Sequence, residues 1–352
     1  MATLLGKRTV SYGLYHSLQK ICVTTLEPRP GGYWLIYMTK NGQFTSYIHG
    51  GAWRDPTVTS AAFDAAESIL TSNSPSLPIS GYASISYRLS AHPNHPQDET
   101  STPPEDFRSA KHPDHIRDVE AALAFLQNTY GFGARYILVG HSCGATLAFQ
   151  AVMGAVAGHR EQSFIGGAMD TGAGAKMVST SSGPLPPRLS AHPTAIVGVA
   201  GIYDLRRLVD THRDISAYRE FVEGAFGVDQ MLWDTVSPAQ MMGSRGVEGG
   251  WKSGRLVILA HSKEDGLVDE GQMDAMRTAL KGWESTKADF VSQDLPGRDR
   301  RVRELEISDK HDNHWVIGEG LARAIKYAFL ELQNMGLAPE PEELSGSTTT
   351  LI

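Results

Sequence analysis

Five residues, Gly140-His141-Ser142-Cys143-Gly144, constrain this chain more than any other stretch, because they form a G-x-S-x-G pattern between two elements of opposite kind. Before them runs Tyr136-Ile137-Leu138-Val139, the pattern of a buried strand, and after them Ala145 to Ala151 opens a helix. A strand that turns into a helix this abruptly holds its central residue in a strained conformation, and the backbone passes close to its neighbours. Glycine is needed on both sides of Ser142 for that reason. The turn would lift the Ser142 hydroxyl out of the sheet edge, making it a candidate nucleophile.

The rest of the chain supplies alternating strands and helices around this turn. Phe44 to Ile48 reads as a strand that leads into His49-Gly50-Gly51-Ala52-Trp53-Arg54-Asp55-Pro56, and Val58 to Leu70 reads as a helix beginning near Pro56. Short apolar pieces such as Tyr33 to Tyr37 fit early strands. Tyr82 to Tyr87 is a further strand, and Leu89 to Arg108 is a long, proline-rich connection. From Pro113, Ile116, Val119, Leu123 and Leu126 fall at helical spacing, with Gly131 as the stop. Later strands are expected at Ala195–Ala200, Leu256–Ala260 and Val302–Ile307, with helices at Gly271–Leu280 and from about Asn313 to Asn334. This alternation predicts an α/β protein with a mainly parallel central sheet covered by helices on both faces.

One domain over residues 1–335 accommodates these elements. The Gly-, Ser- and Pro-rich stretch 158–193 reads as a surface insertion. The segment 203–251 carries Phe221, Phe226, Met231, Trp233 and Met242, which suit either a cap over a pocket or ordinary core helices. The polar tail 336–352 has the composition of a disordered segment. A hydrophobic fraction of 41% supports a large core, and a net charge of −7 without a basic run argues against a nucleic-acid surface. With only Cys22 and Cys143, no disulfide framework is expected. No stretch has signal-peptide or membrane-span character, so a cytoplasmic protein is expected.

A serine hydroxyl attacks poorly at neutral pH, so Ser142 needs a histidine to take its proton and a carboxylate to orient that histidine. In proteins built around this turn, the order along the chain is Ser, then Asp or Glu, then His. Asp265, in the loop after the Leu256–Ala260 strand, is the preferred carboxylate over Glu264 and Asp269. His311, in the loop Ser308–Asn313, is the preferred base. His314 is its rival, expected in the first turn of the following helix. Gly50 and Gly51 let backbone N–H groups approach a developing oxyanion, and the Cys143 N–H completes that hole. Trp53 is a candidate for contact with an aromatic substrate, although core packing explains it equally well. The repeated H-x-x-H spacing at His92/His95, His112/His115 and His311/His314 lacks a completing cysteine or carboxylate set, so neither metal nor cofactor is expected.

Several blocks extend these motifs: HGGAWRDP at His49–Pro56, YRLS at Tyr87–Ser90, KHPDHIRDVEAAL at Lys111–Leu123, YILVGHSCGATLAFQ at Tyr136–Gln150, HSKEDGLVD from His261 and KHDNHW from Lys310. In these blocks the chain resembles the fungal kynurenine formamidases, or arylformamidases, of the α/β-hydrolase superfamily. The resemblance implies an α/β-hydrolase fold and hydrolysis of N-formyl-L-kynurenine to L-kynurenine and formate in tryptophan breakdown toward nicotinamide nucleotides. It implies Ser142 as nucleophile, Asp265 as orienting carboxylate, His311 as base, and a homodimer by analogy. The alternative function is a small-acyl carboxylesterase of the hormone-sensitive-lipase-like type, which shares the HGG and G-x-S-x-G motifs.

Overall fold

The computed structural model describes residues 4–26, 43–73, 77–154, 189–289 and 297–338. Its strands are β1 Leu4–Ser11, β2 Lys20–Leu26, β3 Gln43–Ile48, β4 Ile79–Ile85, β5 Tyr136–His141, β6 Ala195–Val199, β7 Leu256–His261 and β8 Arg301–Glu306. They form one eight-stranded sheet in the order β1-β2-β4-β3-β5-β6-β7-β8. From β4 to β8 every neighbouring pair is parallel, whereas β2 runs antiparallel to both β1 and β4. The mainly parallel α/β sheet expected from the sequence is the one observed.

The helices are α1 Asp64–Asn73, α2 Asp114–Tyr130, α3 Cys143–Gln150, α4 Leu205–Thr211, α5 Ser216–Phe226, α6 Gln230–Val236, α7 Val247–Gly250, α8 Glu270–Ala279, α9 Lys281–Ser285, α10 Asn313–Val316 and α11 Glu319–Asn334. They cover the sheet on two sides, and the strand period of two assigns alternate residues to each. Leu138, Ile196, Val257 and Leu259 pack with Ile116, Val119, Leu123 and Leu126 of α2. Their chain neighbours Ile137, Val139, Val197 and Ile258 pack on the opposite side with Leu70 of α1 and Leu321, Ile325 and Phe329 of α11. Central strands buried on both faces explain why β5, β6 and β7 read as unbroken apolar runs.

Some boundaries differ from the sequence expectation. No helix starts at Pro56. Asp55 Oδ1 instead accepts the Thr57 backbone N–H at 2.8 Å, and the helical path begins with a short 3-10 turn at Ser60, where the Thr59 hydroxyl accepts the Ala61 N–H. Two aspartate and threonine side chains thus hold the chain in turns for four residues longer than Pro56 alone would. The sequence carries no strand signal for β1, because it lies at the sheet edge with mostly exposed or half-buried side chains and therefore shows no apolar run. Gly131 does end α2, in a left-handed conformation. The expected strand at Tyr33–Tyr37, most of the 158–193 segment and the tail from 339 lie outside the described residues. No helix among the described residues is long and apolar enough to cross a membrane.

Candidate active site

Four parallel strands deliver the site residues from their C-terminal ends. His49, Gly50 and Gly51 follow β3, Ser142 follows β5, Asp265 follows β7 and His311 follows β8. This is where ligands meet open α/β sheets, because the loops there are free to vary while the strands hold them in register.

Ser142 has φ 55° and ψ −125°, a conformation that costs energy in a residue with a Cβ. The surroundings over-determine it. The Ser142 N–H donates to the Val199 carbonyl at 2.9 Å, and the Ser142 carbonyl accepts the N–H groups of Ala145 and Ile202 at 3.0 and 3.2 Å. The flanking glycines are required by contact: a Cβ at Gly140 would sit 2.4 Å from the Gly144 carbonyl oxygen, and one at Gly144 would sit 2.2 Å from that of Ile48. Helix α3 thereby lies directly against the end of β3, which brings the glycine loop to Ser142. Ser142 is 6% exposed.

Asp265 and His311, 46 residues apart in sequence, meet through the pairing of β7 with β8. His311 Nδ1 donates to Asp265 Oδ2 at 2.7 Å, and Asp265 Oδ1 accepts the N–H groups of Leu267 and Val268 at 2.9 and 3.0 Å. Burial pushes the Asp265 carboxyl up, but the His311 contact and the two backbone donors outweigh it and hold the group below the usual carboxylate range. The rivals lie elsewhere: Glu264 is exposed, and Asp269 faces His212.

The His311 ring lies 4.6 Å from that of His141, the residue before Ser142. His314, on α10 as expected, is fully buried, and neither of its ring nitrogens has a hydrogen-bond partner among the described residues. Burial pushes the His314 imidazole down to about 4 and that of His141 well below its ordinary value, so both are neutral neighbours of His311 at pH 7. The geometry pairs the carboxylate with His311 and not with His314.

The glycine loop is held by residues that the sequence did not single out for this role. Gly51, Ala52 and Trp53 all have left-handed φ, at 91°, 47° and 60°. The Gly51 carbonyl closes the turn by accepting the N–H groups of Arg54 and Asp55 at 3.0 and 2.9 Å. Beneath it, the Tyr87 ring stacks on His49 at 4.5 Å, and its hydroxyl approaches the carbonyl oxygens of His49 and Gly50 at 3.1 and 3.3 Å. The same hydroxyl lies 3.6 Å from Cys143 Sγ, which accepts the Trp53 N–H at 3.3 Å. Burial pushes the Cys143 thiol up to about 11, so it is a protonated packing group. The Trp53 indole is 0% exposed and packs on Phe221 and Phe226 of α5. Further support comes from the Tyr87–Ser90 block, where Arg88 makes a bidentate contact with Asp118 and Ser90 meets His115. The HGG, YRLS and DHIRD blocks therefore form one connected scaffold. The repeated H-x-x-H pairs do not assemble: among the described residues no three or more His, Cys, Asp or Glu are grouped to hold a metal ion.

Known proteins share this plan at two levels. A kynurenine formamidase-like hydrolase of Fusarium equiseti is 33% identical over 310 residues, covering 87% of this chain and 86% of that protein. The chain belongs to the kynurenine formamidase family. A kynurenine formamidase of Aspergillus versicolor is also 33% identical, over 326 residues, covering 87% of this chain and 92% of its own length. No protein-family model matches the chain. Among solved structures, an esterase of Thermogutta terrifontis superposes with a TM-score of 0.54 at 14% identity over 96% of both chains. Esterase B of Lactobacillus rhamnosis does so at 0.58 and 15% over 94% of this chain and 85% of its own. These likenesses establish the α/β-hydrolase fold, and this kynurenine formamidase family member carries its elbow, glycine loop and Asp–His pair at the strand ends of that fold.

Proposed function

We propose that this chain is an arylformamidase that hydrolyses N-formyl-L-kynurenine to L-kynurenine and formate. The observation that carries the reaction class is the 2.7 Å Asp265–His311 pair beside a strained Ser142. Membership of the kynurenine formamidase family carries the substrate.

In this reading the Ser142 Oγ attacks the formyl carbon while His311 Nε2 takes the hydroxyl proton. The oxyanion that forms is held by the backbone N–H groups of Gly50, Gly51 and Cys143. The last of these belongs to the first turn of α3, where no intrahelical carbonyl competes for it. Collapse of the tetrahedral species breaks the C–N bond, and the aromatic amine leaves with the proton from His311. A water then gives its proton to His311 and attacks the formyl ester on Ser142; formate departs and the serine regains its proton. Asp265 holds the Nδ1–H tautomer throughout and stabilises the transient imidazolium.

Helices α4 to α6 would cap the pocket, since α5 already packs on the loop residue Trp53. A cytoplasmic location, from the low cysteine count and the lack of signal-peptide or membrane-span character in the sequence, and a homodimer, by family analogy, accompany this reading. The test is turnover of N-formyl-L-kynurenine beside a short-chain aryl ester, in wild type and Ser142→Ala, with a fluorophosphonate label on Ser142. Strong preference for the formamide, lost with Ser142→Ala, supports the proposal. Turnover of the ester alone would leave the serine chemistry standing and remove the substrate.

A further inference from the structure

The chain is acidic overall, with 39 Asp and Glu against 32 Lys and Arg, yet one cleft gathers cations. It has a volume of about 430 Å³ and is lined by Arg54, His92, His95, Phe107, Arg108 and Glu220. Arg54 is pinned, not paired: its guanidinium lies 5.7 Å from the centre of the Phe221 ring and makes no hydrogen bond to a described residue. Arg108 uses Nη2 on the His95 carbonyl at 2.6 Å, while its buried Nε has no partner among the described residues. Such donors are costly to leave unused in a half-buried cleft, and they match a carboxylate in shape and charge. Glu220, exposed on α5 and electrostatically coupled to Arg54, is the single carboxylate of the lining.

Arg54 ties the cleft to the glycine loop that carries Gly50 and Gly51. The Gly51 carbonyl accepts the Arg54 N–H at 3.0 Å, which keeps the two Cα atoms within about 7 Å. One residue earlier, a Cβ built on Gly50 would lie 3.1 Å from Ser142 Cβ. In N-formyl-L-kynurenine about seven bonds, roughly 8–9 Å when extended, separate the formyl carbon from the carboxylate carbon. That length lies within the span these contacts allow between Ser142 and Arg54. We propose that this cleft binds the α-amino-acid end of the substrate, with Arg54 and Arg108 taking the carboxylate and Glu220 taking the ammonium group. The inference rests on the formamidase reading above and adds how the enzyme distinguishes an amino-acid formanilide from a neutral one.

The test compares N-formyl-L-kynurenine with ortho-formamidoacetophenone, which keeps the formanilide and ketone but lacks the amino acid. In Arg54→Gln the ratio of the two kcat/KM values should fall by about tenfold or more, mainly through KM for the charged substrate. Arg108→Gln and Glu220→Gln should move the same ratio in the same direction, and they carry the test if Arg54→Gln fails to fold. Calorimetric binding of L-kynurenine should weaken by a similar factor. A ratio within about twofold of wild type in all three variants, or L-kynurenine binding unchanged by them, overturns the proposal. Wild type that turns over only esters would refute the formamidase reading; the cleft is then judged by L-kynurenine binding alone, whose absence overturns it.

Discussion

Tyr87→Phe tests whether the glycine loop is a positioned device or a passive turn. The change keeps the ring that stacks on His49 at 4.5 Å and removes only the hydroxyl, which lies 3.1 Å from the His49 carbonyl oxygen and 3.3 Å from that of Gly50. The two carbonyls are not left equal. Gly50 keeps a donor, because His49 Nδ1 reaches its oxygen at 2.9 Å, so the principal orphan is the buried His49 carbonyl. An orphaned buried acceptor costs about 1–3 kcal/mol, and thermal unfolding should therefore shift down by roughly 2–5 °C. Activity should fall further than stability alone explains, because Gly50 and Gly51 lose one of the contacts that aim their N–H groups. Complete loss of one oxyanion donor costs about 100-fold or more in kcat, so a loosened loop should cost about tenfold in kcat with KM little changed. Stopped-flow or steady-state absorbance assays on the formamide, with parallel calorimetric melts, read both quantities. Unchanged kcat together with an unchanged melting temperature would refute the claim that Tyr87 sets the loop. A change confined to KM would place its effect in ground-state binding.

Three further outcomes follow from the same geometry. His311→Ala should lower kcat by about 1,000-fold or more. His314→Ala should instead cost about 2–4 kcal/mol of stability through a buried cavity and leave kcat of the folded fraction within about tenfold of wild type; the reverse pattern would exchange their roles. Gly144→Ala places a methyl group 2.2 Å from the Ile48 carbonyl oxygen, a backbone atom that cannot swing away, so soluble yield and melting temperature should both drop sharply. Acid should destabilise the fold early. Burial holds His49 and His314 at about 4 and His115 at about 3, all below their ordinary 6.5, so the unfolded chain takes up protons first as pH falls. Their neutral forms leave stability unaffected above pH 7. Between about 6.5 and 4 each group then removes up to about 1 kcal/mol per pH unit, readable as a falling urea midpoint whose slope His115→Gln should reduce. A midpoint that stays level from pH 7 to 5 would contradict this.

What could be read from the sequence was set by how local each requirement is. The elbow was legible because its glycines are demanded by contacts within four residues and by one neighbouring strand end, so strand, turn and helix signals coincide there. Asp265 and His311 were legible by chain order, yet the choice of His311 over His314 needed the β7–β8 pairing that brings only the former to the carboxylate. Tyr87 stands in the YRLS motif with no role that the sequence reveals. Nothing in its spacing tells that its ring lies on His49, because that contact exists only where β4 is hydrogen-bonded beside β3. Arg54 was hidden for the same reason, since the 91–97 and 107–108 segments reach it only through the fold.

The parts of the site that resisted the sequence are thus the ones that join loops from different strands, and this predicts where function is most easily lost. Ser142, Asp265 and His311 each sit one to five residues beyond a strand whose neighbours fix its register. The connecting side chains, Tyr87 to His49, Cys143 to Trp53 and Arg88 to Asp118, carry the alignment between those loops. Losing one of them moves a donor relative to the nucleophile without removing either, and a misplacement of about 1 Å is enough to cost about 100-fold. Substitutions at these connectors should therefore depress kcat while leaving the Asp265–His311 pair intact, whereas damage to the strands should abolish both together.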